Sequence, residues 1–224
     1  MGPQTALVRR RLDDAVLHIR MCDVPRRNAL SAQMASELNA AVHDTDGVVS
    51  IVLSAEGRHF CAGGDHDEVN RLTQDQMDRY RGDLATLFRR LADSPSPVVV
   101  AVQGAAIGGG TEIAVRADFV VADESAIFSL PQVPMGIAVS NGAVRALSAR
   151  CGTGFARRML LCGDRIEAAE AYHRGLVDLL VADGKAEVEA AALATTLARA
   201  AGAPMARARR ELARLVSGPA RPSS

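Results

Sequence analysis

The chain has no excess charge of either sign, because 26 Lys and Arg balance 26 Asp and Glu among its 224 residues. Such a balance offers nucleic acid or an anionic membrane no electrostatic footprint, so neither partner is expected. Its four cysteines, Cys22, Cys61, Cys151 and Cys162, show no CxxC or zinc-like spacing, and His59 and His66 have no convincing metal partners. No metal is therefore expected. Apolar runs long enough to cross a bilayer, roughly 20 residues, are missing as well. Met1-Gly2-Pro3-Gln4 is not a charged region leading into an apolar segment. A soluble protein of the reducing cytoplasm, acting on small molecules, is the expectation.

What is present is a glycine-rich run set between a strand and a helix. Ser94-Pro95-Ser96-Pro97 breaks the preceding element, and Val98 to Val102 then reads as a buried β-strand. The chain continues through Gln103-Gly104-Ala105-Ala106-Ile107 into Gly108-Gly109-Gly110-Thr111-Glu112, followed by helix-compatible residues. Glycines let backbone N–H groups approach a ligand closely. The first N–H groups of a helix have no intrahelical partner and favour a developing anion. Glu112 would sit beside them as an acid/base. The alternative is a tight turn with a first-turn carboxylate complementing the helix dipole. Neither the GxGxxG spacing nor a GK[ST] ending of a phosphate loop is there.

A second unit repeats the theme. Residues 49–54 read as a strand that runs through Arg58-His59 into Phe60-Cys61-Ala62-Gly63-Gly64-Asp65. Together the two segments resemble the crotonase (enoyl-CoA hydratase/isomerase) superfamily. Arg26-Arg27-Asn28-Ala29-Leu30 is similar to that family's early basic element, and residues 117–122 and 161–177 match its later segments. The resemblance covers roughly residues 5 to 215. It implies an α/β fold, a spiral of ββα units, with residues 1–185 as the core and 186–224 as a reduced C-terminal helical region of the same domain.

The resemblance also implies roles. The backbone N–H groups of Ala62 and Gly109 would form an oxyanion hole, flanked by Cys61, Gly63 and Gly108. Glu112 matches one of the family's two hydratase glutamates. The other falls at Pro131-Gln132, where Gln132 can orient water but cannot exchange a proton. Ser140 and Asn141 are placed to contact an acyl group or water, or else to cap the helix that follows them. Arg26 and Arg27, beside Ala29, are candidates for nucleotide phosphates, and Asp65 either lines the site or caps the next helix. Cys61 reads as a small wall residue, because no His/Asp partner for a nucleophile is evident.

The implied chemistry is that of acyl-thioester enolates. Hydration of enoyl-CoA or dehydration of 3-hydroxyacyl-CoA stands first, isomerisation or decarboxylation second, and a non-catalytic acyl-CoA-binding subunit third. CoA would arrive as part of the thioester rather than as a bound cofactor, and a carrier-protein thioester would present the same arm. The family implies a homotrimer or hexamer.

Elsewhere the periodicity predicts helices. Ser31 is a plausible N-cap for one through Met34, Leu38, Ala41 and Val42, and a longer one covers residues 76–92. Others are expected over 142–150, 154–160, 168–174, 186–201 and, basic and amphipathic, 205–216, after Gly202-Ala203-Pro204. Strands are expected over 119–122 and 126–129.

Overall fold

A computed structural model describes residues 6–43 and 45–217. The first strands form an antiparallel hairpin, β1 (Val8–Asp13) and β2 (Val16–Met21). The chain then folds into α1 (Ala32–Ala41), whose N-cap is Ser31, with the Met34 N–H donating to Ser31 Oγ at 3.1 Å. β3 (Ser50–Ala55), α2 (His66–Val69) and α3 (Gln74–Asp93) follow, the last opened by a reciprocal capping box between Thr73 and Gln76.

Next come β4 (Val98–Val102), β5 (Ala105–Ile107), α4 (Gly109–Ala114), β6 (Phe119–Asp123), β7 (Ile127–Ser129) and α5 (Asn141–Arg157). The chain closes with β8 (Ile166–Glu167), α6 (Ala168–His173), β9 (Leu179–Val181), α7 (Ala186–Arg199) and α8 (Ala203–Ser217). The helices expected over 142–150 and 154–160 are one element, broken at Gly152 by φ 76° and ψ 154°, and the chain then widens into a π-turn at Arg158–Cys162. Pro204 lies in the first turn of α8, where its missing N–H has no intrahelical acceptor to lose.

The strands divide between two sheets. The larger runs β1-β2-β3-β4-β6-β9 and is parallel beyond its first pair; the smaller runs β5-β7-β8. The chain repeatedly leaves the large sheet, makes a short stretch in the small one and returns through a helix. Thus β4 leads to β5 and α4, and β6 leads to β7 and α5. The first turn of this spiral meets the small sheet through the bridge of Cys61 with Ala106.

Both faces of the large sheet are covered, which explains its valine-rich strands. In β4, Val98, Val100 and Val102 join the main core with Leu38, Leu87, Phe60 and Phe128. Val99 and Ala101 face the other way, onto Ala186, Ala190 and Ala194 of α7. Alanines four residues apart keep that helix close to the strands. Among the described residues no helix is long and apolar enough to cross a membrane.

Candidate active site

The two glycine turns lie side by side because the backbone pairs directly across them. The Cys61 N–H donates to Ala105 O and the Ile107 N–H donates to Cys61 O, each at 2.9 Å. At Gly63, with φ +93°, a Cβ would lie 3.0 Å from Ile107 O, so the first turn rests on the second with no room for a side chain. Gly108 (φ 54°, ψ −113°) donates its N–H to Ser129 O at 2.8 Å and is the N-cap of α4. Thr111 fastens that helix to both short strands, since its Oγ1 donates to Ala106 O at 2.6 Å and accepts from the Ser129 N–H at 3.2 Å.

Of the two expected donors, Gly109 is open. It is the first residue of α4, so its N–H has no acceptor one turn earlier in the helix. Ala62 differs from expectation: its N–H donates to Arg27 O at 3.0 Å. Arg27 and Asn28 both adopt the left-handed region, φ 53° and 52°, and this turns the Arg27 carbonyl onto Ala62. Asn28 fixes the bend, its Nδ2 donating to Glu56 O at 3.0 Å and His59 O at 2.9 Å.

Glu112 is buried, with about 5% of its surface exposed, and it accepts from three groups. Gln132 Nε2 donates to Oε1 at 3.1 Å, and Ser140 Oγ donates to Oε2 at 2.5 Å. Arg116, four residues further along the same helical face, places Nη1 3.4 Å from Oε2. Its Nη2 donates to Ser140 Oγ, and its guanidinium lies 4.4 Å from the centroid of the Phe88 ring. Burial pulls the Arg116 pKa below the ordinary value, opposed by the adjacent Glu112. Three donors, one of them the Arg116 cation, thus compensate the burial of the Glu112 carboxyl group.

Several residues expected in the site do other work. The Cys61 side chain is fully buried beneath Gly110 rather than lining a wall, and desolvation pushes its thiol up to about 12. Asp65 caps α2, its Oδ1 accepting from the Glu68 N–H at 3.0 Å. Arg26 lies among Asp23, Asp65 and Glu68 at 3.3–3.5 Å, so its charge is compensated within the protein. Ala29 is buried, and its N–H donates to Arg26 O. Pro131 packs its Cα 3.2 Å from where a Gly163 Cβ would be. Ser140 both binds Glu112 and caps α5, accepting from the Ala143 N–H at 3.3 Å. Asn141 is the first residue of α5 and, with Gly142 and Arg116, lines a cavity of about 670 Å³ between α5 and α8.

Two arginines belong to the picture that sequence reasoning did not single out. Arg116 was signalled only by its spacing of four from Glu112. Arg58 joins Arg27 near His59: burial depresses the His59 pKa, and the two cations depress it further. The positive charge beside the first glycine turn is therefore Arg27 and Arg58.

A buried glutamate thus lies in the first turn of α4, whose leading residue, Gly109, has a backbone N–H with no intrahelical acceptor, where two strand–glycine–helix turns pair. The chain belongs to the enoyl-CoA hydratase/isomerase family, whose model matches residues 11–223. It is 37% identical over 183 residues to a Mycobacterium bovis protein named "Probable enoyl-CoA hydratase echA6", covering 81% of this chain and 73% of that one. The enoyl-CoA hydratase subunit I of Geobacillus kaustophilus HTA426 superposes with TM-score 0.85 at 31% identity, covering 95% of this chain and 83% of that one. A structure from Streptomyces coelicolor A3(2) gives 0.89 at 29% identity, covering 98% and 82%. The α/β architecture is that of the crotonase superfamily.

Proposed function

We propose that the chain catalyses reversible addition of water to 2-enoyl-CoA thioesters, with Glu112 as its general acid/base and Gln132 as the water-orienting group. The observation that carries this reading is the Gln132–Glu112 contact. Because Nε2 is committed to the carboxylate, Gln132 Oε1 is left buried without a partner. A water that reaches that oxygen is oriented by the amide, and Glu112 is the neighbouring group that takes its proton.

As the water gives its proton to Glu112, its oxygen bonds to the β-carbon. The π electrons move through the α-carbon onto the thioester oxygen. The Gly109 N–H meets that oxygen, and the Ala62 N–H joins it when the Arg27 carbonyl yields. Each fixed donor of this kind contributes on the order of 10²–10³ in rate. Glu112 then returns the proton to the α-carbon, and the carbonyl reforms. Dehydration is the reverse. Arg27 and Arg58 supply charge for the phosphates of the CoA nucleotide.

A second reading, migration of the enoyl double bond, is favoured by the same Gln132. One carboxylate carrying a proton from carbon to carbon needs no second acid. Incubation of enoyl- and 3-hydroxyacyl-CoA thioesters in deuterated water, read by mass spectrometry, separates the two. Water gained or lost supports hydration. A moved double bond with deuterium incorporation supports isomerisation, and an inert panel contradicts both.

A further inference from the structure

Arg116 is a buried cation that the reaction above does not use, with about 9% of its surface exposed. Its contacts are unusually concentrated on one neighbour. Nη1 donates to the backbone carbonyl of Glu112 at 2.7 Å and stands 3.4 Å from Oε2 of the same residue. Nη2 donates to Ser140 Oγ, which in turn donates to Oε2. Phe88 of α3 covers the guanidinium from the other side. Gly142 leaves the space: a Cβ there would lie 2.9 Å from Arg116 Nη2.

The two carboxylate oxygens are thus treated differently. Oε2 takes Ser140 and Arg116, while Oε1 takes only Gln132, beside whose Oε1 the water is placed above. Three points fix a plane, and Arg116 also grips the main chain that carries the side chain.

We infer that Arg116, acting directly and through Ser140, is the positioning residue that sets the plane of the Glu112 carboxylate and commits its Oε2 to the protein, so that Oε1 alone serves the thioester. The inference rests on the proposed role of Glu112. A misplacement near 1 Å in such a group costs about 10²-fold in turnover, whereas substrate binding is expected to be little touched because the hydrogen bonds of the guanidinium go to Glu112 and Ser140.

The test compares the 224-residue protein with Arg116→Met, Arg116→Lys, Ser140→Ala and Glu112→Gln. Steady-state rates on enoyl-CoA are joined to carbon-13 NMR of protein labelled at the glutamate carboxyl carbon. The Glu112 signal is identified by its loss in Glu112→Gln. Arg116→Met is expected to lower kcat about 10²-fold with KM within about 3-fold of wild type, and to move the Glu112 carboxyl resonance. Arg116→Lys recovers part of the rate, and Ser140→Ala falls between. Should Arg116→Met fail to fold, Ser140→Ala carries the same two readouts.

Wild-type kcat in Arg116→Met and Ser140→Ala, or a Glu112 resonance coincident with wild type in both, overturns the inference. An inert wild-type protein defeats the hydratase reading separately, and the carboxyl resonance then decides whether Arg116 holds Glu112. Wild-type turnover in Glu112→Gln removes the acid/base role and the inference with it.

Discussion

Gln132 Nε2 donates to Glu112 Oε1 across 3.1 Å, and that bond fixes which way round the amide lies. A carboxylate accepts only, so the nitrogen must face it and the amide oxygen must face away. Replacing Gln132 by Glu therefore sets two carboxyl groups about 3 Å apart, where one is held protonated well above the usual carboxylate range. The introduced carboxyl has a raised folded-state pKa. Its contribution to stability is present at low pH and lost as pH rises through that value. Gln132→Glu is expected to lose urea midpoint from about pH 5 to about pH 8 relative to wild type, and its pH–rate profile gains a limb. Equal pH dependence of the two proteins contradicts the contact.

Adjacent glycines of α4 are expected to respond differently to alanine. A Cβ on Gly110 would lie 2.7 Å from Cys61 O, which is backbone pinned by strand pairing, and 2.9 Å from Cys61 Cβ. A Cβ on Gly109 would meet Leu30 Cδ1 at 2.4 Å, the end of a buried side chain rather than backbone. Both gain about 1 kcal/mol of helix propensity, but only Gly110→Ala also incurs overpacking against fixed atoms, about 3 kcal/mol. Chemical denaturation should place Gly110→Ala roughly 2 kcal/mol below wild type and Gly109→Ala within about 1 kcal/mol of it.

His59 makes acid destabilising. Its Nδ1 accepts from the Ala105 N–H at 3.2 Å, which requires an unprotonated nitrogen, and burial with Arg58 and Arg27 lowers its pKa. A lowered folded-state value means the unfolded chain binds the proton more readily. The stability it confers is complete above the unfolded pKa of about 6.5 and falls as pH drops below that. His18 is shifted in the same direction by burial and Arg11. His59→Asn, which keeps an acceptor, should flatten the loss of urea midpoint between about pH 7.5 and about pH 5.5. An unchanged slope removes His59 as a contributor.

Arg209 fastens α8 to the core. Its Nε lies 2.8 Å from Asp118, which also accepts from the Val98 N–H, and its Nη atoms reach the carbonyls of Leu91, Ala92 and Ser94 at the end of α3. Arg209→Met leaves those carbonyls and Asp118 without their charged donor, a loss of about 2–3 kcal/mol. Limited proteolysis should then cut within α8 first. An unaltered cleavage pattern contradicts the role.

The sequence showed β4, α1, α3, α7 and the glycine turns plainly, because valine runs, four-residue apolar spacing and Ser or Thr caps are local signals. The hairpin of β1 and β2 was missed: β1 is largely exposed and rich in arginine, so it carries little apolar alternation. Short β5, β8 and β9, of two or three residues each, are made by their neighbours rather than by propensity. In the site, Glu112, Gln132 and Gly109 were legible from motif order. The engagement of Ala62 by Arg27 was not, because it depends on two consecutive left-handed residues that are not glycines. Nor was the compensation of Arg26, whose acidic partners lie up to 42 positions away.

Glu112→Gln tests the central claim most directly. The rate of loss of the conjugated enoyl-thioester absorbance should fall by about 10²–10⁴-fold, while the variant still binds the thioester, because the amide keeps the shape of the site and loses the proton. Hydration at the wild-type rate in Glu112→Gln would contradict the account.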